Sequence, residues 1–363
     1  MASSGSSAFY SLDLARLPDE LYRPETPPEE WKKFVQCAGP EGFPAGSLSS
    51  MAPISTRTLV ERTLVFPLYM LLNAAPFLLP PVLYAAFGKR GILGLVLLLG
   101  GAHILCKLLN PLRSVRRGQY VYTERNCQKY CSMKWVWPQA LETAPTEPKI
   151  FCAIPHGLAP VGVVAYPFWS KLWGERLCRW TAAPVVLKLP FISYLLRMVG
   201  YVPAAAAEIR RVLTKRQESV GIVLDGIAGM FEAGECGAVR GRKAIAKIAL
   251  TTGAPLVPVF CFGHSKLWKI ATDPCGVLKR MSVALNVSVT PFFGRPCGLL
   301  PFGPPFRVPL LVAIGEPITT VKVESPSQEQ IDEHHGRLLQ GFQSVFEQHK
   351  AAYGWPDQQL RLV

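Results

Sequence analysis

From Leu64 to Phe87 the chain carries no Asp, Glu, Lys or Arg, and from Gly91 to Leu109 the only interruptions are His103 and Lys107 near the end. Crossing a bilayer core takes about 20 apolar residues in a helix, and uncharged runs of this length are uncommon inside soluble domains. Lipid offers no water to an open backbone, so each run has to be helical wherever it meets hydrocarbon. Asn73, Pro67, Pro76, Pro80 and Pro81 argue against one straight spanning helix in the first run. Only Gly88, Lys89 and Arg90 separate the two runs. The pattern predicts a membrane-embedded helical hairpin, spanning twice or re-entering from one face, with its flanks on the same side. Arg57, Arg62, Arg113, Arg116 and Arg117 flank it, against Lys89 and Arg90 at its tip, which assigns both termini to the cytosol.

The hairpin divides the chain into three. Residues 1–56 mix Pro, Glu, Ser and Gly, with Pro24, Pro27 and Pro28 close together, and read as a disordered cytosolic arm. Its Trp31 and Phe34 are candidates to touch the membrane or the main domain. Residues 57–112 hold the hairpin, and residues 113–363 form a cytosolic-facing α/β domain. Strand-like runs at Lys149–Ile154, Pro184–Leu187, Val220–Leu224, Pro255–Phe260 and Pro309–Ile314 alternate there with helical patterns. The helices are expected at Ala204–Gln217, Arg242–Thr252 and Pro326–Tyr353, the last capped by Ser325 with Pro326 at its first position and Gln328 closing a capping box.

The chain has 39 basic and 25 acidic side chains, a net charge of +14, which points to an acidic partner or surface: anionic lipid head groups or a phosphorylated co-substrate. Nucleic acid is not expected, because no zinc-finger spacing, basic heptad region or aromatic RNA-binding signature accompanies the charge. The 10 cysteines show no framework spacing and read as reduced thiols. Cys127 and Cys131 lack a second pair or a nearby histidine, so no metal site is expected.

Three clusters can carry chemistry. Pro155-His156-Gly157 ends the apolar run Ile150–Ile154 in a sharp turn, where an imidazole at a sheet edge is well placed to take a proton from a hydroxyl. The loop from Asp225 to Gly241 holds Gly226, Gly229, Gly234, Gly237 and Gly241 with Asp225, Glu232 and Glu235. Glycines let backbone amides approach a ligand, and a carboxylate there could orient the imidazole. Arg240, Arg242, Lys243 and Lys247 crowd the start of a predicted helix, where the macrodipole disfavours cations unless an anion binds among them. There is no Gly-x-Ser-x-Gly elbow, Walker loop or His-Glu-x-x-His, which removes the common hydrolase, nucleotidase and zinc-protease readings.

Ile154-Pro155-His156-Gly157, the stretch Arg242 to Leu250, Gly253 to Gly263, Pro291 to Arg295, Gly315-Glu316-Pro317-Ile318 and the closing stretch from Pro326 to Gly354 resemble, in order, the type 2 diacylglycerol acyltransferase family. The resemblance covers residues 113–355. It implies a glycerolipid-acyltransferase-like mixed sheet flanked by helices, and transfer of a fatty acyl group from acyl-CoA to diacylglycerol. The family's His-Pro-His-Gly pattern lands on Ile154 to Gly157, so His156 alone is retained. The aspartate that wider relatives carry five residues on is Val161 here. The family's Gly-Gly-x-x-Glu pattern lands on Asp225 to Gly229, with Gly229 where the glutamate is expected, leaving Asp225, Glu232 or Glu235 as substitutes.

The implied mechanism has His156 as general base, assisted by Asp225 or Glu232. Backbone amides of the turn or the glycine loop meet the oxyanion, Pro155, Gly157 and Gly226 making up the motif and oxyanion turn. Arg240, Arg242 and Lys243 hold the phosphates of acyl-CoA, which is a co-substrate, so no separate cofactor and no metal are called for. Phe168, Trp169 and Trp173 are candidates to line the acyl groove. The resemblance further implies an endoplasmic reticulum membrane location reaching lipid droplets, membrane lipid as partner, and leaves a homo-oligomer open. Monoacylglycerol or a fatty alcohol are the alternative acceptors, and an inactive lipid-binding membrane protein is the alternative from outside the enzymes.

Overall fold

The computed structural model describes residues 8–22, 26–39, 41–53, 82–97, 100–101, 104, 125–143, 147–164, 178–188, 193, 196, 200–232, 235–285, 290–295, 298, 300–301 and 303–363. Most of the hairpin expected at 57–112, and Phe168, Trp169 and Trp173, lie outside the described residues. Residues 82–97 are helical, and Val82, Tyr84, Phe87, Leu93, Val96 and Leu97 on them are exposed. Among the described residues no helix is long and apolar enough to cross a membrane.

The strands, in chain order, are β1 (Phe9–Asp13), β2 (Gln36–Ala38), β3 (Lys134–Pro138), β4 (Ile150–Ile154), β5 (Cys178–Ala182), β6 (Val202–Pro203), β7 (Ser219–Val223), β8 (Cys236–Gly237), β9 (Leu256–Phe262), β10 (Lys269–Ile270), β11 (Phe292–Gly294), β12 (Leu300–Pro301), β13 (Leu311–Ile314) and β14 (Arg361–Leu362). Among the described residues nine of them form one mixed sheet in the order β2-β1-β3-β13-β9-β4-β7-β5-β6. Its centre is parallel: β4 lies between β9 and β7 with Ile154 opposite Phe260 and Ala153 opposite Val223. All residues of β4 and β9 are buried, as expected of strands covered on both faces.

Alternation along each strand divides the core. Phe151, Ala153, Val257, Val259 and Cys261 face one layer with Trp135, Trp137 and Trp180. Ile150, Cys152, Ile154, Leu256, Phe260 and Phe262 face the other. Helix α1 is the single turn Gly226–Gly229, α2 is Ala244–Thr252, α3 is Val277–Leu285 and α4 is Gln328–Lys350. The second layer is covered by α2 and α4, which bring Ile245, Ile248 and Ala249, and Leu338, Phe342, Val345 and Phe346. Every third or fourth residue of α4 is buried, the stripe a helix needs to lie on a sheet.

Three expectations need correction. The arm at 1–56 is not disordered among its described residues: β1 pairs antiparallel with β2 and β3, and Leu12, Leu14, Tyr22 and Trp31 join the core, with Trp31 fully buried. The prolines that make the arm look unfoldable come after Phe9–Leu17, whose own apolar residues suffice to add a strand to a waiting sheet edge. Pro184–Leu187 is a turn leading into a short 3₁₀ helix, Val186–Lys188, because the strand has already been formed by Cys178–Ala182. Finally, α4 is capped by Ser327 and Gln330 rather than Ser325 and Gln328: the Gln330 amide donates to Ser327 Oγ at 3.2 Å and the Ser327 amide to Gln330 Oε1 at 2.9 Å. The same Ser-x-x-Gln spacing occurs in both frames, and only the later one begins where the stripe meets the sheet.

Candidate active site

The parallel strands β7, β4 and β9 end side by side, and the crevice beyond their carboxyl ends is where open α/β sheets place ligands. Each strand delivers one segment there: Asp225-Gly226 after β7, Pro155-His156-Gly157 after β4, and Gly263-His264-Ser265 after β9. A cavity of about 140 Å³ opens among them, lined by Pro155, Gly157, Gly229, Glu232, His264 and Ser265 together with Met230 and Trp268.

His156 is half-buried between two residues that line this cavity. Its Nδ1 lies 2.7 Å from the carbonyl oxygen of Gly157. A carbonyl only accepts, so Nδ1 carries the proton and Nε2 keeps its lone pair. Burial lowers the pKa of this imidazole below 6.5, against the opposing effect of the Gly157 carbonyl, which keeps the ring neutral near neutral pH. Gly157 adopts a left-handed conformation with φ at 57°, and a Cβ there would stand 3.1 Å from the His264 carbonyl oxygen, so glycine is required at this turn. The preceding Ile154–Pro155 peptide is cis.

The turn is braced by His264, which the sequence reading did not assign a role. This imidazole is buried, its Nδ1 donates to the carbonyl of Pro155 at 3.0 Å, and its Nε2 accepts from the Gly162 amide at 2.6 Å. Burial pushes its pKa down to about 4, with the neighbouring His156 adding to the effect. Both nitrogens are therefore occupied in the neutral ring, which makes it a strut and not a base. A Cβ on Gly162 would come within 2.8 Å of that Nε2, so the strut also depends on a glycine. His264 follows β9 as His156 follows β4, and that equivalence is the signal that could have revealed it.

Of the candidate carboxylates, Asp225 alone meets the His156 turn, and it does so through the backbone: the His156 amide donates to Asp225 Oδ2 at 2.9 Å. The expectation that a carboxylate orients the imidazole ring is thus corrected, because the Gly157 carbonyl holds the ring and Asp225 holds the main chain beneath it. The Asp225 carboxyl is fully buried and its Oδ1 has no partner among the described residues. Burial pushes its pKa up to about 7, against hydrogen bonds from the amides of His156, Asp225 itself and Gly226 and the charge of Arg242. Pro155 has no amide hydrogen, which leaves Gly157 as the donor in this turn.

Glu232 lines the cavity but pairs with Lys279 at 2.7 Å. Glu235 is buried and accepts from Ser265 Oγ at 2.7 Å. A Cβ on Gly229 would lie 2.3 Å from Asp225 Oδ2 and 2.9 Å from Asp225 Cβ, so the glutamate that the resemblance expects at 229 has no room while Asp225 stands opposite. Gly229→Ala is expected to cost about 1–3 kcal/mol through overpacking, and Asp225→Gly to relieve most of that cost. A double-mutant cycle of urea unfolding midpoints checks the coupling.

The basic cluster is not one unit. Arg240 Nε donates to the Leu362 carbonyl at 2.7 Å and Lys243 pairs with Asp332 at 2.8 Å, so both are tied to neighbouring elements. Arg242 is exposed and its guanidinium stands next to Gly226, where an ideal Cβ would be 3.7 Å away. Lys247 is exposed on α2.

Residues 92–363 match the family described as diacylglycerol acyltransferase. The chain is 26% identical to Diacylglycerol O-acyltransferase 2-like protein 6 of Bos taurus, covering 82% of this chain and 94% of that protein. It is 31% identical to 2-acylglycerol O-acyltransferase 1 of Bos taurus over 59% of this chain and 68% of that one, and 27% identical to Diacylglycerol O-acyltransferase 2 of Homo sapiens over 69% of each. Among solved structures it is similar to the 1-acyl-sn-glycerophosphate acyltransferase PlsC of Thermotoga maritima at a TM-score of 0.38 and 16% identity, covering 80% of this chain and 97% of that one, a likeness too slight to transfer any feature. The relatives' names support an acyltransferase, and with its match running from residue 92 to 363 the chain belongs to the diacylglycerol acyltransferase family.

Proposed function

We propose that the protein transfers the acyl group of acyl-CoA to the free hydroxyl of a partial glyceride, diacylglycerol giving triacylglycerol, with His156 as general base. The observation that carries this reading is the Nε2 of His156, without a partner among the described residues, fixed by the Nδ1 contact with Gly157 and flanked by cavity-lining residues. Nε2 takes the acceptor's proton as its oxygen attacks the thioester carbon. The negative charge that develops on the carbonyl oxygen is met by the Gly157 amide. When the carbon–sulfur bond breaks, the imidazolium returns the proton to the departing thiolate, so no acyl-enzyme forms and the base is regenerated. Arg242 is the cation left for the CoA phosphates.

An insoluble acceptor has to arrive from a lipid surface. Val277, Met281 and Leu285 recur every fourth residue on α3 and are exposed, with Lys279 and Arg280 beside them. Through Lys279 and Glu232 this helix is joined to the cavity wall. Such an apolar stripe with basic neighbours suits an anionic membrane interface. Changing Met281 and Leu285 together to aspartate is expected to lower turnover of a vesicle-borne acceptor several-fold while sparing a short-chain acceptor in free solution, read from initial rates on each. A membrane location at the endoplasmic reticulum belongs to the same reading.

The test is direct. Membranes from a host lacking neutral-lipid synthesis, expressing this chain and supplied with labelled acyl-CoA, should produce triacylglycerol from diacylglycerol. Absence of product with diacylglycerol, monoacylglycerol and fatty alcohol alike would favour a lipid-binding protein without catalysis.

A further inference from the structure

Resting on the acyl-transfer reading, the cavity wall beside the His156 turn carries a second polar pair that the reaction itself does not use. Ser265 lines the cavity, half-buried, and donates its hydroxyl proton to Glu235 Oε1 at 2.7 Å. Glu235 is 4% exposed, is approached by Lys266 at 3.4 Å on the same oxygen, and its Oε2 is buried with no partner among the described residues. Burying a carboxylate with one oxygen unsatisfied is unfavourable, and such groups persist where they hold another group in a set orientation. Here the held group is Ser265. With its proton spent on Glu235, the hydroxyl offers the cavity lone pairs only.

Ser265 is not a nucleophile. The adjacent imidazole of His264 has both nitrogens bound to Pro155 and Gly162, so no base other than a carboxylate faces its proton. Nor is it remote from the reacting turn, since Gly157 packs directly on the His264 carbonyl, one residue before Ser265. A fixed acceptor of hydrogen bonds next to the general base favours a ligand that brings a donor and opposes one that brings an ester carbonyl, which can only accept.

We infer that Ser265, oriented by Glu235, selects the acceptor by binding a second free hydroxyl of the glycerol. Monoacylglycerol has one hydroxyl to react and one to donate to Ser265. Diacylglycerol has only the one that reacts, so it is still acylated but leaves Ser265 without a donor and is the slower acceptor of the two. Ser265 is thus a specificity-determining residue and Glu235 its positioning residue.

The measurement is the ratio of kcat/KM for 2-monoacylglycerol to that for 1,2-diacylglycerol, in the full-length protein with one acyl-CoA. One net hydrogen bond corresponds to about ten-fold. Ser265→Ala and Glu235→Ala are each expected to lower the ratio about ten-fold, while Ser265→Thr and Glu235→Gln, which keep the hydroxyl and its acceptor, hold it near the wild-type value. A monoacylglycerol whose second hydroxyl is methylated should lose a similar factor on the wild-type protein, a readout independent of how any variant folds. An unchanged ratio in Ser265→Ala, or equal use of the methyl ether, overturns the inference. Wild-type protein that acylates neither glyceride overturns the acyl-transfer reading instead, so the two failures are distinct.

Discussion

Replacing His156 with alanine is expected to cut acyl transfer by about 10²- to 10⁴-fold, the range for loss of a positioned general base. The fold should survive, because among the described residues the ring bonds only to the carbonyl of the next residue, while the contact to Asp225 is made by the His156 amide. Circular dichroism and unfolding midpoints should therefore match the wild type while kcat collapses. The pH profile gives a second check. With the imidazole pKa lowered by burial, the acid limb of kcat/KM in the wild type should lie below 6.5 and disappear in the variant. Equal turnover in the two proteins would sink the mechanism.

Asp225→Asn is expected to alter stability more than any other conservative change at the site. The folded-state pKa of Asp225 is raised from 3.8 to about 7, so between those values the native protein holds a proton that the unfolded chain has released. With more protons bound in the native state, unfolding free energy falls as pH rises through this window and levels off above it. Three units correspond to about 4 kcal/mol. Asparagine can accept from the His156 amide as the neutral acid does, and it never ionises. The variant should lose this slope and gain up to about 4 kcal/mol over the wild type above pH 7, while differing little near pH 4. Urea unfolding at pH 4, 6 and 8 measures it; parallel pH curves for the two proteins would refute the assignment.

The residues that were legible in the sequence are those whose chemistry is local. Ile150–Ile154 is apolar on every residue, so its burial between two strands could be foreseen, and Pro-His-Gly after it could only be a turn. The helix Gln328–Lys350 announced itself by its stripe, though its cap slid by two residues because Ser-x-x-Gln occurs twice. What could not be read was whatever depends on pairing at a distance. Phe9–Asp13 is unremarkable alone and becomes a strand because Lys134–Pro138 offers it an edge. His264 lies more than a hundred residues from Pro155, and nothing local marks it as the strut beneath that turn. Asp225 and Gly229 were visible as departures from a pattern, but only the 2.3 Å approach explains why the two go together. Arg240 and Lys243 looked like part of an anion site until their partners, Leu362 and Asp332, were seen to arrive from the far end of the chain.

The pairing of β1 with β3 has a topological consequence. Tyr10 and Trp137 are direct neighbours in one sheet, and both apolar runs lie on the chain between them. The chain before and after that stretch is therefore held in one sheet. A path that starts and finishes on one sheet cuts any intervening plane an even number of times, zero included. A single pass through a bilayer would tear β1 from β3, so an accessibility label at residue 10 and one at residue 137 must always report the same compartment.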